Sequence, residues 1–442
     1  MSRASRAHGS AEAVSSVVTP MVDGNPLVSL RRVANGDTVR DSELIVDILG
    51  RPVAARDVWG TWTTSTYDAM GRVVLTTSTT ANGQVATAQC TYTDDSHVRT
   101  ISIDGTLQAT MQYDVAGRLL SVAYGNGATL AVRHDNVTGA VTRRTFTVGG
   151  TTLDEQGLIT PAGRLLRRAI HGPGADATWT YGYDLDSRLV SAALAGRLPA
   201  GVKAGTYAYG YDSASQRTRV TTPDGATTFS YNDAGAVTAT SDPRFAGGFS
   251  YDSQGRATTA GPLSLGYSAS GVVTAISDGT TTVRNELAGD DVVGRTVTGP
   301  DGTTTARYSA QGLVLDTAGQ VVAHDVGLPG GVLLSLPAAG PATWAYQDST
   351  QSIAWRGEGS AAPTATSLYD PDGTTLGQAP PGLGPRVRSE GWRAGTGVGT
   401  VPLAITVATM GKRTYVPALG TFLQPDPVAG GSPTQYGYAA GD

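Results

Sequence analysis

A short pattern, Tyr-Asp-x-x-Gly-Arg, recurs along this chain and limits what it can fold into. It is intact at Tyr67-Asp68-Ala69-Met70-Gly71-Arg72, at Tyr113-Asp114-Val115-Ala116-Gly117-Arg118 and at Tyr251-Asp252-Ser253-Gln254-Gly255-Arg256. Looser copies begin at Tyr183, Tyr211, Tyr231, Tyr267 and Tyr308, and degraded ones lie at His134–Gly139 and Leu153–Gly157. A catalytic motif is needed once. A motif spread over the chain is an architectural unit.

Each copy reads as a β-hairpin. An alternating stretch precedes it, as in Thr206-Tyr207-Ala208-Tyr209-Gly210-Tyr211, and period two puts Tyr207, Tyr209 and Tyr211 on one face. The Asp can accept backbone N–H groups two or three residues on and so open a turn. The Gly supplies positive φ at the close of the turn. Arg or a small residue then starts the return strand. One hairpin is marginal in water, so serial hairpins must pair side by side into a ribbon that coils because sheets twist.

Composition agrees with short strands and tight turns. Gly numbers 58, only six of the 37 acidic residues are Glu, and Lys occurs only at Lys203 and Lys412. The net charge of −5, with no basic tract, argues against nucleic-acid binding. The lone Cys90 excludes an internal disulfide and reads as a small hydrophobe. No apolar run reaches the length of a membrane span. Arg3 and Arg6 precede no apolar run, and Glu12 interrupts the segment, so no signal peptide is expected in this chain.

The expected organisation is an irregular segment over 1–60, with a short strand at Leu44–Leu49 and a turn at Gly50-Arg51-Pro52. A repeat ribbon follows over 61–342, and a distinct region over 343–442. The fold class is all-β: a long coiled ribbon of antiparallel hairpins, shell-like or solenoid-like. A β-propeller is the rival, although its blades repeat every 40 to 45 residues, whereas several motif intervals here are close to 20.

Over about residues 60–370 the motifs resemble the YD repeat of Rhs proteins. The stretch Thr343-Trp344-Ala345-Tyr346-Gln347-Asp348, leading to Leu368-Tyr369-Asp370-Pro371-Asp372-Gly373, resembles the segment before the Rhs-associated core. The core resembles Lys412-Arg413-Thr414-Tyr415-Val416-Pro417-Ala418-Leu419-Gly420-Thr421-Phe422-Leu423-Gln424-Pro425-Asp426-Pro427, with Gly430-Gly431 and Tyr436-Gly437-Tyr438 following.

The resemblance implies a β-sheet shell that encloses a C-terminal toxin, which some members free by self-cleavage. Asp426 and Arg413 match residues of that chemistry. Val416 stands where the family has an Asp, and Thr421 where it has an Arg. Aspartic-type catalysis needs two carboxylates sharing a proton, which Val416 cannot supply. With Tyr438-Ala439-Ala440-Gly441-Asp442 ending the sequence given, neither self-cleavage nor an attached toxin is expected. Asp426 reads first as an Asp-Pro turn.

No other chemistry stands out. Asp94-Asp95 and Asp290-Asp291 are adjacent pairs whose side chains diverge on a strand, so they read as solvated turns. His8, His97, His134, His171 and His324 lack metal-ligand spacing, and no cofactor is expected. Gly395-x-Gly397-x-Gly399, in the Pro/Gly segment Ala379–Gly399, lacks the Lys-Ser/Thr and flanking elements of a nucleotide loop. Asn136-Val137-Thr138 matters only in a eukaryotic secretory pathway.

Residues 61–442 should hold about 36 to 40 strands, a ribbon roughly 180 Å long at ~4.8 Å per strand. Wound twice, it makes a tube ~29 Å across, narrower than a folded domain of about 30 Å; wound once, it is open. The chain is therefore expected to be part of a shell, secreted or at the cell surface within a longer chain. Its partners would be an upstream shell segment or a C-terminal toxin cargo. The alternative is a repeat module binding a cell-surface glycan or protein through its tyrosine faces.

Overall fold

The computed structural model describes residues 14–377, 391–401, 403–428 and 434–438. Arg3, Arg6, His8, Glu12, residues 379–390 of the Pro/Gly segment, Gly430-Gly431 and the stretch after Tyr438 lie outside the described residues.

The repeats form hairpins, and the hairpins form a ribbon. Thirty-eight strands follow one another among the described residues. From β1 (Val14–Val22) to β20 (Val237–Thr240), each strand pairs antiparallel with the next in one continuous sheet. From β21 (Phe249–Tyr251) to β32 (Ile353–Glu358) a second sheet is built the same way. A short 3-10 turn at Pro243–Phe245, capped by Asp242, joins the two. β33 (Leu368–Tyr369) and β34 (Thr375–Leu376) make a small pair. β35 (Gly399–Val401) to β38 (Thr421–Phe422) make a four-stranded sheet.

Alternation decides which face is buried. In the strand Thr129–His134, Leu130 and Val132 are buried, while Thr129, Ala131 and Arg133 face out. Burying one such side chain contributes about 1.5–3 kcal/mol. One apolar cluster runs through both large sheets and into the four-stranded sheet, from Ala109 to Leu423. Tyr207 and Tyr209 belong to it, and Tyr211 packs against it.

Four readings need correction. Residues 1–60 are not irregular from Val14 onward: they hold β1, β2 (Asn25–Asn35), β3 (Thr38–Val46) and β4 (Pro52–Arg56). The stretch at Leu44–Leu49 is the end of β3 followed by a motif turn, Asp47 to Arg51, whose tyrosine has become Val46. Valine kept the strand and the Asp–Arg pair kept the turn, so the copy survives without its most recognisable residue. The propeller is excluded because strands pair in an unbroken meander rather than in separate blades. The second sheet also runs through residue 358, past the expected division at 342, because Thr343–Gln347 pairs on both sides.

The ribbon winds, and the winds tighten. Bonds between one wind and the next join Asn35 to Gly289, 254 residues apart, and Asn82 to Ala318, 236 apart. They then join Tyr124 to Pro329 at 205, Arg168 to Asp348 at 180 and Arg217 to Asp372 at 155. Each later position meets its neighbour after fewer residues, so the ribbon narrows toward its C-terminal end.

Candidate functional site

Within a motif turn, one aspartate holds three donors. Asp68 Oδ1 accepts the N–H groups of Met70 and Arg72 at 2.9 and 3.0 Å, and Oδ2 accepts Arg72 Nε at 2.7 Å. Asp114 and Asp252 repeat this arrangement with Arg118 and Arg256. The acceptor role thus reaches two and four residues on, one further than the sequence suggested. Hydrogen bonding from the Arg72 backbone, then from its side chain, holds the Asp68 carboxyl below the usual carboxylate range. Gly71, Gly117 and Gly255 adopt φ of 79°, 76° and 75°, where a Cβ is strained.

Between copies, tyrosine and arginine form a clasp that the sequence reading missed. The motif tyrosine donates its hydroxyl to the strand that opens just after the preceding turn. Tyr67 reaches the Pro52 carbonyl, Tyr92 that of Val73 and Tyr267 that of Ala257, at 2.6 to 2.7 Å. The guanidinium of the preceding copy lies over that tyrosine ring. Arg51 covers Tyr67 and Arg72 covers Tyr92, both at 4.5 Å, and Arg256 covers Tyr267 at 5.0 Å. Arg72 and Arg256 also donate to the carbonyls of Thr93 and Ser268, one residue past the covered tyrosine. The Arg that seemed only to start a strand locks two copies together. The signal was that each such Arg is followed, one motif later, by another tyrosine.

The winds are joined by buried charges. Arg168 shares a strand face with Ile170 and meets Glu155 at 2.7 Å and Asp348 from the next wind. All three are almost wholly buried. Ser349 donates its N–H and hydroxyl to Glu155, and Asp348 accepts from Thr350 and Ser352. Burial opposes the Arg168 charge, and the two carboxylates outweigh it. Further on, Arg217 binds Asp372 at 2.7 Å and the Leu419 carbonyl at 2.5 Å, tying the ribbon to the turn between β33 and β34 and to the four-stranded sheet. Beside Asp372, burial and that neighbouring carboxylate push Asp370 up to about 7. Arg168 could have been noticed as an arginine in phase with buried apolar residues, which requires a partner.

The residues matched to cleavage chemistry come together only in part. Arg413 Nη2 lies 3.1 Å from an Asp426 carboxylate oxygen, and its guanidinium stacks 3.7 Å from the Phe422 ring centroid. Burial lowers the Arg413 pKa, against the pull of Asp426. Asp426 also accepts the Val428 N–H and donates its own N–H to Gln435. This is an Asp-Pro turn tied to a strand. Val416 is fully buried in the main apolar cluster, and Thr421 donates its hydroxyl to the Tyr436 carbonyl. The adjacent pairs stay apart in role: Asp95 faces His97, and Asp290 pairs with Lys412. Cys90 is half-buried, which raises its thiol pKa. Among the described residues, no cluster of His, Cys, Asp and Glu is placed to hold a metal ion, and no helix is long and apolar enough to cross a membrane.

A cavity of about 340 Å³ opens where the first sheet meets the C-terminal four-stranded sheet. Tyr211, Tyr231, Gln216 and Arg217 line it from the ribbon, and Asp372 and Tyr415 from the C-terminal strands. Burial raises Tyr211 and Tyr231 to about 12, so both are neutral hydroxyls at physiological pH.

The RHS Repeat family matches residues 211–244, the segment that lines this cavity. This segment of the chain therefore carries a repeat of that family. No curated protein matches it. A crystal structure of TcdB2-TccC3-TEV superposes with a TM-score of 0.70 at 15% identity, over 97% of this chain and 26% of that chain. A crystal structure of TcdB2-TccC3 gives 0.69 at 15% identity, over 97% and 27%. The Photorhabdus luminescens Tc holotoxin pore, with a TccC3 mutation, gives 0.66 at 14%, over 98% and 26%. The ribbon therefore has the fold of these structures, and it spans about a quarter of those chains.

Proposed function

We propose that this Rhs/YD chain is a wall segment of a secreted toxin shell, completed by a further shell chain and enclosing or presenting a polypeptide effector. The observation that carries the proposal is the tightening ribbon with one free end. Its later winds lock onto one another through Arg168–Asp348 and Arg217–Asp372, while β1 pairs with β2 alone among the described residues. Almost every residue of β1 is exposed, with Val17, Val18 and Met21 about half exposed. An open edge strand pairs readily with another strand. The fit to the TcdB2-TccC3 structures supports a toxin component of the TcdB2 type as the chain that supplies it.

The role proposed is structural. Asp426 is held in an ion pair with Arg413, and Val416 fills the core where a second carboxylate is expected. The adhesin reading is disfavoured because Tyr207 and Tyr209 are only 5% and 6% exposed, so that face offers no outward aromatic groove.

The test is cryo-electron microscopy of the chain co-expressed with a TcdB2-type component. Density continuing the sheet beyond β1 is expected, and Val18→Pro, which removes a ladder donor, should abolish the complex. A β1 edge that stays bare in the co-expressed sample would refute the proposal.

A further inference from the structure

The clasp has a vacancy. Tyr113 has lost its arginine lid, and His97 takes the place, its ring 4.8 Å from the tyrosine. Tyr251 follows Ala236 instead of an arginine, and the core's Tyr436 packs edge-on against it at 6.3 Å. Tyr231 follows Gln216. Among the described residues, no guanidinium, imidazole or aromatic ring stacks on Tyr231.

Two further groups are left over in the turns that hold Gln216 and follow Tyr231. Asp212 Oδ1 closes the turn on the Ala214 and Gln216 N–H groups, as in the intact copies. Its Oδ2, which takes an arginine Nε elsewhere, has no partner among the described residues. The Asn232 carbonyl stands where Thr93 and Ser268 receive an arginine Nη1, and it accepts only the Gly235 N–H. Gln216 reaches toward Gly235, since a Cβ there would lie 2.9 Å from its amide nitrogen, but it brings neither charge nor a stacking plane with charge. The space is kept open: Tyr231, Gln216 and Gly235 line the cavity of about 340 Å³. The nearby Arg217 does not supply the missing cation, because Asp372 and the Leu419 carbonyl hold it.

We propose that this cavity binds an arginine side chain of another polypeptide, its guanidinium stacked on Tyr231 and bonded to Asp212 and the Asn232 carbonyl. The ligand class follows from the ribbon itself, which fills the equivalent place with a guanidinium at Tyr67, Tyr92, Tyr211 and Tyr267. The inference goes beyond the shell reading and does not depend on it.

The test uses the full chain and two probes, Nα-acetyl-arginine amide and its neutral isostere Nα-acetyl-citrulline amide, followed by NMR titration. The arginine probe should bind at least about tenfold more tightly, the scale of a partly desolvated cation–π contact with an ion pair. Gln216→Arg, which completes the motif, should raise the melting temperature and weaken probe binding at least about tenfold. Tyr231→Phe keeps the ring and should bind within about twofold of wild type, whereas Tyr231→Leu should lose about tenfold. Equal affinity for the citrulline probe, or unchanged binding in a folded Gln216→Arg, would overturn the proposal.

Discussion

The Asp–Arg pairs inside the turns and those between the winds use the same two side chains for different ends. In a turn, Asp252 and Arg256 are four residues apart, partly exposed and closed on a backbone already bent to receive them. Between winds, Arg168 and Asp348 are 180 residues apart and buried, with Glu155 as a third member. The first kind sets local geometry and adds little Coulomb energy, because water screens it. The second costs desolvation and stays favourable only while every member is present. The ribbon's hairpins can therefore tolerate eroded motifs, as at Gln216 and Ala236, while the winding depends on a few irreplaceable charges.

Breaking the buried set should show the largest effect. Arg168→Leu leaves Glu155 and Asp348 facing each other without a cation and should cost about 3–5 kcal/mol, measured by denaturant unfolding. A loss below about 1 kcal/mol would erase the distinction drawn between the two kinds of pair.

The second test is pH. Asp370 is raised to about 7, so its folded state holds a proton that the unfolded chain releases near 4. Stability from that proton is present below about 4 and declines as pH rises through about 7. Asp370→Asn keeps an acceptor for the Thr374 N–H and removes the titration. It should raise the melting temperature at pH 8 and leave it nearly unchanged at pH 4. An equal shift at both values would show that the raised pKa is not felt by the fold.

Turn aspartates should behave in the opposite sense and more weakly. Burial pushes the Asp252 carboxyl up, but the Arg256 backbone and side-chain bonds outweigh it and leave it lowered. Its contribution is present above about 4 and lost as pH falls through the lowered value. Asp252→Ala should cost about 1–2 kcal/mol at pH 7, the scale of its lost hydrogen bonds, with the difference from wild type shrinking in acid.

The smallest effect tests the turn backbone. Ser96, Ser187 and Ser215 hold the motif-glycine position at φ of 69°, 70° and 62°. Glycine at Ser187 should relieve left-handed strain of roughly 1 kcal/mol, partly offset by lost side-chain bonds such as that from Arg164. Destabilisation by more than about 1 kcal/mol would mean that this serine's bonds, rather than its backbone, fix the turn.

By itself the sequence determined the hairpin, its turn and the order of strands. Those depend on contacts within five residues: an Asp accepting backbone donors, a Gly at positive φ, and alternation that sorts Leu130 from Ala131. It missed the copy at Asp47–Arg51 because Val46 kept the strand while hiding the tyrosine. It also missed the clasp, which joins an Arg to a Tyr 11 to 23 residues on and needs the strand register to be known. Only the tertiary structure decided how many strands make a wind, that Arg168 meets Asp348, that Val416 is core, and that Tyr231 faces an open cavity. The physical reason is accumulation. Each strand adds a small twist, and the sum over ten or more strands, which no local stretch encodes, sets which residues 155 to 254 apart come to touch.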